Sequence, residues 1–214
     1  MSVREYEICE FGLNGQRGFF IWYSDEDEKD GVVVDDNYRL LIFESKPNAA
    51  RFAGLPEIPL SDDPPTFFDL EKVSLWCESP GADGIDRCEF LNAWNLFDDL
   101  TSSCNQPASL FAYSSKTENG LYDKLFWGNN LPSVTPIGEH YEPEWSQEEI
   151  KGLQEVLWLG LCEFQAGSFG KQPDNESGGI TTSVIRQSSS GKLPASCPPK
   201  SGLAFTTLRG PQST

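Results

Sequence analysis

Two stretches of the chain repeat their apolar residues with the period of an α-helix. In residues 86–104 the apolar positions recur every three or four residues, which places them on one face of a helix. This face consists of Phe90, Ala93, Trp94, Phe97, Leu100, Thr101 and Cys104. In residues 146–164 the same spacing joins Ile150, Leu153, Leu157, Leu161 and Phe164. The pattern predicts two long amphipathic helices, with Trp94 in the protein core.

Each of these helices starts with a capping pattern. Asp86 is followed three residues later by Glu89, and Ser146 is followed in the same way by Glu149. In such a capping box the two side chains accept hydrogen bonds from backbone N–H groups that the first turn leaves free. The sequence therefore indicates locally where both helices begin.

Other apolar runs have the character of β-strands. Residues 4–11 and 18–24 are rich in aromatic and β-branched residues and flank a glycine-rich stretch, which predicts a hairpin with a turn. Further strands are expected at residues 32–34, 38–43, 69–76 and 109–114. The run at 38–43 is apolar enough for the centre of a sheet.

Shorter signals complete the predicted fold. Short helices are expected at residues 45–53 and 119–127, and the proline-rich residues 55–65 are expected to form a surface connection. The predicted fold class is α+β, with a largely antiparallel sheet on which the two main amphipathic helices pack.

The composition changes abruptly after residue 165. From residue 166 the chain is rich in Gly, Ser, Thr, Pro and Lys, and it has too little apolar surface to offset the entropy lost on ordering. Residues 1–165 carry 31 acidic against 11 basic side chains, whereas residues 166–214 carry 2 against 5. We expect a single acidic α+β domain at 1–165 and a disordered tail at 166–214.

The net charge limits the class of partner. The 33 Asp and Glu residues outnumber the 16 Lys and Arg residues, which gives a formal net charge of −17. Such a protein repels nucleic acid and anionic membranes but attracts basic proteins. The candidate partner-binding residues are Asp25, Glu26, Asp27 and Glu28 after the hairpin, and Asp98 and Asp99 on the first long helix. The last two lie near the negative end of the helix dipole, where acids are unfavourable, so they suggest a role other than stability. A solvated acidic face, whose cost the buried core easily outweighs, is the simpler interpretation of these two acids.

Targeting and metal signals are missing from the sequence. No apolar run approaches the roughly 18 residues of a membrane span. The first residues lack the basic-then-apolar order of a secretory signal. We expect a cytoplasmic protein with reduced thiols. The six cysteines lack metal-binding spacing, and the acids of residues 25–31 lack the ligand spacing of a calcium loop, so no metal or cofactor is expected.

Catalytic motifs are also missing. His140 is the single histidine of the chain, and no nucleophile motif accompanies it. Adjacent acids such as Asp62 and Asp63 arise by chance in so acidic a chain and have little specificity for acid-base catalysis. An exposed loop histidine is the preferred interpretation of His140. A small hydrolytic enzyme without a recognisable motif stays an alternative.

Several stretches of the chain, taken together, resemble a known group of proteins. These are LLIFESKPNAARFAG at 40–54, FLNAWNLFDDL at 90–100, and YDKLFWGNNLPSVTP at 122–136 followed by WSQEEIKGLQEVL at 145–157. They resemble immunity proteins of bacterial polymorphic-toxin and contact-dependent inhibition systems. The resemblance covers most of residues 1–165 and none of the tail. It implies a small cytosolic antitoxin, encoded beside a toxin, that blocks the toxin's active domain, often a nuclease, by tight binding.

The resemblance does not indicate which residues contact the toxin. Together with the charge, it predicts an acidic cytoplasmic immunity protein that neutralises a basic toxin domain by direct binding and has no catalytic residues. The alternatives are the small enzyme and a general cytosolic scaffold or regulatory domain.

Overall fold

The fold is α+β, as predicted. The computed structural model describes residues 4–25, 29–52, 58, 64–104 and 109–169. The strands are β1 (Arg4–Leu13), β2 (Gln16–Asp25), β3 (Gly31–Val32) and β4 (Phe67–Asp69). The helices are α1 (Lys46–Ala50), α2 (Leu70–Glu78), α3 (Arg87–Ser103), α4 (Leu110–Thr117), α5 (Asn119–Gly128) and α6 (Gln147–Phe169). None of these helices is both long enough and apolar enough to cross a membrane.

The sheet has the strand order β3-β2-β1-β4. β1 and β2 pair antiparallel over their full lengths, which confirms the predicted hairpin. Asn14 and Gly15 make its turn with φ values of 54° and 68°, the left-handed conformation that a two-residue hairpin turn of this kind requires. β4 instead pairs parallel to β1, so the sheet is mixed, and the prediction of a largely antiparallel sheet is wrong in this respect.

Two predicted strands are helices. Residues 69–76 contain the end of β4 and most of α2, and residues 109–114 contain the start of α4. Asp69 and Ser109 cap these helices, since their side chains accept hydrogen bonds from the backbone N–H groups of Lys72 and Ala112. Such caps favour a helix over a strand in a short apolar run.

The predicted central strand at residues 38–43 does not form as a continuous strand. This segment makes two isolated bridges, from Leu40 to Val34 and from Phe43 to Phe19. Tyr38 has a positive φ of 59°, so the chain is still turning at the residue where the predicted strand would begin. The segment therefore lies beside β2 without extending the sheet.

Both long helices agree with the prediction. Every residue of the two apolar faces is buried, including Trp94, whose ring lies edge-on to those of Phe111 and Tyr122. At the start of α6 the capping box is complete, because Ser146 and Glu149 each accept the other's backbone N–H. At the start of α3 only Asp86 acts as predicted, by accepting from Glu89 N. The Glu89 carboxylate accepts instead from the backbone N–H of Asp69, because β4 brings that group close.

The core lies on both faces of the hairpin. Ile8 and Ile21, which are cross-strand partners, pack with α1 on one face. Cys9 and Phe20, the next pair along, belong to the larger cluster with α2, α3 and α6. The sheet is thus a middle layer, with the long helices on one side.

Some predictions fall wholly or partly outside the described residues. These are the acids Glu26, Asp27 and Glu28, most of the connection at 55–65, and the tail from residue 170 on. Within the connection, Ile58 is buried against the α1 face of the hairpin. Helix α6 continues to Phe169, four residues beyond the predicted domain end. Cys9, Cys77, Cys88 and Cys104 are free thiols, whereas Cys162 takes part in a disulfide, so the prediction of reduced thiols is wrong for Cys162.

Candidate functional site

Asp25, the first of the predicted partner-binding acids, lies inside the sheet. It ends β2 and its side chain is 1% exposed. Its Oδ2 accepts a hydrogen bond from Arg4 Nε at 2.9 Å, and the Arg4 guanidinium also lies over the Tyr23 ring. The Asp25 charge is therefore paired across the hairpin, where it holds the two strand ends together.

Asp98 and Asp99 differ from one another although they are neighbours on α3. Asp98 is exposed, whereas Asp99 is half-buried and its Oδ2 accepts a hydrogen bond from the indole N–H of Trp22 at 2.9 Å. A second hydrogen bond joins the end of α3 to the sheet, because Ser103 Oγ accepts from Val32 N at 2.9 Å. The C-terminal end of α3 is therefore fixed to the sheet at two points. Asp99 thus has a structural partner as well as a negative charge.

Two further acids, Asp30 and Asp123, lie close to Asp98 and Asp99. The pKa of Asp99 is raised to about 6, mainly by burial and also by the charges of Asp98 and Asp30, whereas the Trp22 hydrogen bond acts to lower it. Lys29 acts on the same carboxyl in the opposite direction. We call Asp30, Asp98, Asp99 and Asp123 the acidic surface.

Asp123 joins this surface through Tyr122. The pKa of the Tyr122 phenol is raised by burial and then by the charges of Asp98, Asp123 and Asp99. The Tyr122 hydroxyl lies 3.1 Å from Asn95 Oδ1 and donates a hydrogen bond to it, which fixes α5 against the polar face of α3. The loop before β3, the end of α3 and the start of α5 therefore present their acids in one place.

The acidic surface has the electrostatic properties of a docking site for cations. Within the described part of the chain, neither Asp98 nor Asp123 makes an ion pair. Carboxylates that lie close together repel one another and create a local negative potential. A basic side chain that binds there reduces this repulsion.

The sequence indicated only part of this surface. The helical pattern predicts Asp98 and Asp99 as partner-binding residues, but it does not include Asp30 or Asp123. Asp30 lies in the charged run before β3, and Asp123 lies between the inward-facing Leu121 and Leu125 of α5. The helical register of α5 does place Asp123 on its exposed side. Its proximity to Asp98 depends on how α5 packs on α3, which no local pattern gives.

His140, the candidate base for catalysis, is exposed as predicted. It lies at a cleft of about 410 Å³ between the start of α3 and the segment after α5, lined also by Arg87, Cys88 and Asn130. His140 Nε2 is 3.3 Å from Glu142 Oε2, and Arg87 Nη1 is 2.6 Å from Glu142 Oε1.

The thiol in this cleft does not have the properties of a nucleophile. Burial raises the pKa of Cys88, and the neighbouring Glu89 and Asp86 raise it further. A cysteine nucleophile needs the opposite shift, because the thiolate is the reactive form. Among the described residues, no group of three or more His, Cys, Asp or Glu side chains is placed to hold a metal ion.

Comparisons with known proteins leave the function to be argued from this chain alone. Clustered carboxylates beside a tethered tryptophan are groups that can bind a cationic partner. The chain matches no protein-family model, and no match was found among curated proteins or solved structures.

Proposed function

We propose that this protein is an immunity protein that binds a basic toxin domain in the cytoplasm and neutralises it by direct contact. The observation that supports the proposal most is the acidic surface. Asp30, Asp98, Asp99 and Asp123 come from three separate segments, and each adds to a potential that favours a basic partner. The formal net charge of −17 acts in the same direction.

The position of these acids also supports a binding role. Asp98 and Asp99 stand near the C-terminal end of α3, where the helix dipole disfavours negative charge by about 0.3 to 1 kcal/mol for each acid. A toxin domain that cleaves nucleic acid has a basic cleft for phosphates, and closely spaced carboxylates are suited to occupy such a cleft.

Charge of this kind acts mainly on the rate of association. Steering raises the association rate from about 10⁵–10⁶ M⁻¹s⁻¹ toward 10⁸ M⁻¹s⁻¹ at low salt, and added salt screens the effect. The test is to express this protein with the product of the neighbouring reading frame and to measure association at increasing salt concentration. We expect the rate to fall steeply as salt is added.

A variant pair separates the acidic surface from overall charge. Asp98→Asn with Asp123→Asn should lower the association rate by about tenfold. Glu78→Gln with Asp83→Asn removes the same charge from exposed positions outside the acidic surface and should change the rate by less than about twofold. Asp99 is left intact in both variants because it holds Trp22.

Two experimental results would contradict the proposed function. An association rate that is the same at all salt concentrations and in both variants would remove the electrostatic argument. Cells that make the neighbouring product and die at the same rate with or without this protein would remove the immunity function itself.

A further inference from the structure

A single side chain closes the loop that follows α5. Asn130 Nδ2 donates to the carbonyl oxygens of Tyr141 at 2.9 Å and Gly128 at 3.0 Å, and Asn130 Oδ1 accepts from Tyr141 N at 2.7 Å. Asn130 has a φ of 50°, a left-handed conformation that asparagine adopts more readily than most residues. We call residues 130–141 the clamped loop.

The clamped loop also has internal hydrogen bonds. The carbonyl oxygen of Leu131 accepts from the backbone N–H groups of Val134 and Thr135, and that of Pro136 accepts from Glu139 N. Two successive turns therefore set the path of the loop between its closed ends. A loop fixed in this way loses little entropy when it binds a partner.

The clamped loop and the end of α5 just before it expose apolar side chains to solvent. Eight large apolar residues are exposed in the described part of the chain, and five of them lie between residues 127 and 141. They are Trp127, Leu131, Val134, Ile137 and Tyr141. Ile137 is fully exposed at 106%. Single exposed apolar residues are common, but a concentration on one rigid segment is typical of an interaction surface.

Exposed acids follow most of these apolar residues along the chain. Glu139, Glu142 and Glu144 are all exposed along the end of the loop and the chain that follows it. Arg87 pairs with Glu142, which leaves Glu139 and Glu144 without an ion pair within the described residues. A second copy of this chain, or an anionic membrane, would bring like charges against these acids. A basic protein partner would bring opposite charges.

We infer that the clamped loop is the apolar anchor by which this protein holds its basic partner. This inference rests on the proposed function and adds a second contact to it. The occupant is an apolar groove on the toxin domain, flanked by Lys or Arg side chains that face Glu139 and Glu144. Affinity in such interfaces comes from a few desolvated apolar anchors inside a polar rim. The acidic surface determines the association rate of the partner, and the clamped loop determines its dissociation rate.

The test measures dissociation of the purified neighbouring gene product from single variants of the full chain. Val134→Ser and Ile137→Ser should each raise the dissociation rate by about 10- to 100-fold. Their association rates should stay within about twofold of wild type, since neither residue is charged. The matched control is Leu75→Ser, an apolar residue 57% exposed on α2, which should change neither rate. Unchanged melting temperatures show that all variants fold.

Each outcome decides the inference. Wild-type dissociation rates in both loop variants would overturn it while leaving the proposed function in place. Failure of the wild-type protein to bind would overturn both. Self-association in sedimentation, or binding to vesicles with anionic lipid, that Ile137→Ser abolishes would overturn it in favour of that other occupant.

Discussion

At the scale of single residues, Asp98 and Asp99 show where sequence reasoning stops. Both are acids on the polar face of a well-predicted helix, and the sequence treats them alike. The structure separates them, because Trp22 reaches Asp99 from a strand 77 positions away and leaves Asp98 exposed. No pattern within the helix contains that contact. The same limit explains Asp25, whose partner Arg4 lies opposite it on the neighbouring strand, 21 positions earlier in the chain.

Asp99 also leads to a prediction about pH. Its pKa is about 6 in the folded protein, mainly because of burial, against about 3.9 for an unfolded aspartate. Between these values the folded state binds more protons than the unfolded state, so stability contributed by Asp99 is present below pH 4 and is lost as the pH rises to 6. Asp99→Asn keeps an oxygen for Trp22 and removes the charge. It should stabilise the protein above pH 7 by about 1 kcal/mol, after allowance for solvent screening.

Urea unfolding of wild type and Asp99→Asn from pH 4 to pH 8 checks this prediction. The free-energy difference between the two proteins should grow as the pH rises and level off above 7. Asp83→Asn, at an exposed position outside the acidic surface, serves as the control and should leave stability unchanged. A difference for Asp99→Asn that is constant with pH would contradict the assignment.

At the scale of elements, long periodic segments were predictable and short ones were not. The apolar faces of α3 and α6 span several turns, so the helical period outweighs every competing signal. In residues 69–76 and 109–114 the apolar run is too short to distinguish a strand from a helix. Each of these runs begins with a residue type that caps helices, Asp69 or Ser109, and this signal favours a helix. The run at 38–43 failed for another reason, since its hydrogen-bond partners depend on how the chain turns at Tyr38.

The contact between α3 and α6 depends on a glycine. A Cβ atom at Gly160 would lie 2.0 Å from Cδ2 of the buried Phe97 ring. Alanine normally stabilises a helix by about 1 kcal/mol relative to glycine. Overpacking a core costs about 1 to 3 kcal/mol or more, so the clash should prevail. After subtraction of the roughly 1 kcal/mol gained in helix propensity, we expect Gly160→Ala to destabilise the protein by up to about 2 kcal/mol in chemical unfolding.

Gly120 provides the matched control for this substitution. It lies in the first turn of α5, is exposed, and has no atom within 4 Å of an added Cβ. Gly120→Ala should therefore stabilise the protein by up to about 1 kcal/mol. The same chemical change should thus have opposite signs at the two positions. A stabilising Gly160→Ala would show that α3 and α6 are further apart than the structure has them.

At the scale of the whole molecule, the fold class could be predicted from the sequence, but the topology of the sheet could not. The hairpin and the two helices follow from local patterns. The parallel pairing of β1 with β4 does not, because β4 has only three residues and its partner is fixed by tertiary packing. The negative charge of the protein could be predicted from the sequence, but the position of the acidic surface could not, because three separate segments have to fold together to form it.

The boundary of the folded domain leads to a further prediction. Every buried apolar residue in the described part of the chain lies at or before Phe164, and α6 ends at Phe169. Compared in the presence of a reducing agent, so that the disulfide of Cys162 is open in both, a chain ending at Phe169 should therefore keep the melting temperature and cooperativity of the full chain. Circular dichroism melting and amide NMR spectra of the two chains check this. A large loss of stability in the shorter chain would show that residues 170–214 contribute to folding.

The mixed sheet has a consequence for the order of folding. β1 meets β2 across a two-residue turn, and such hairpins form within microseconds. β1 meets β4 only after the chain between them has closed a long loop, which is entropically costly and slow. No residue separates β4 from α2, so the strand and the helix reach β1 together. Until they do, one edge of β1 is open to other chains, and the risk of aggregation belongs to this late stage of folding.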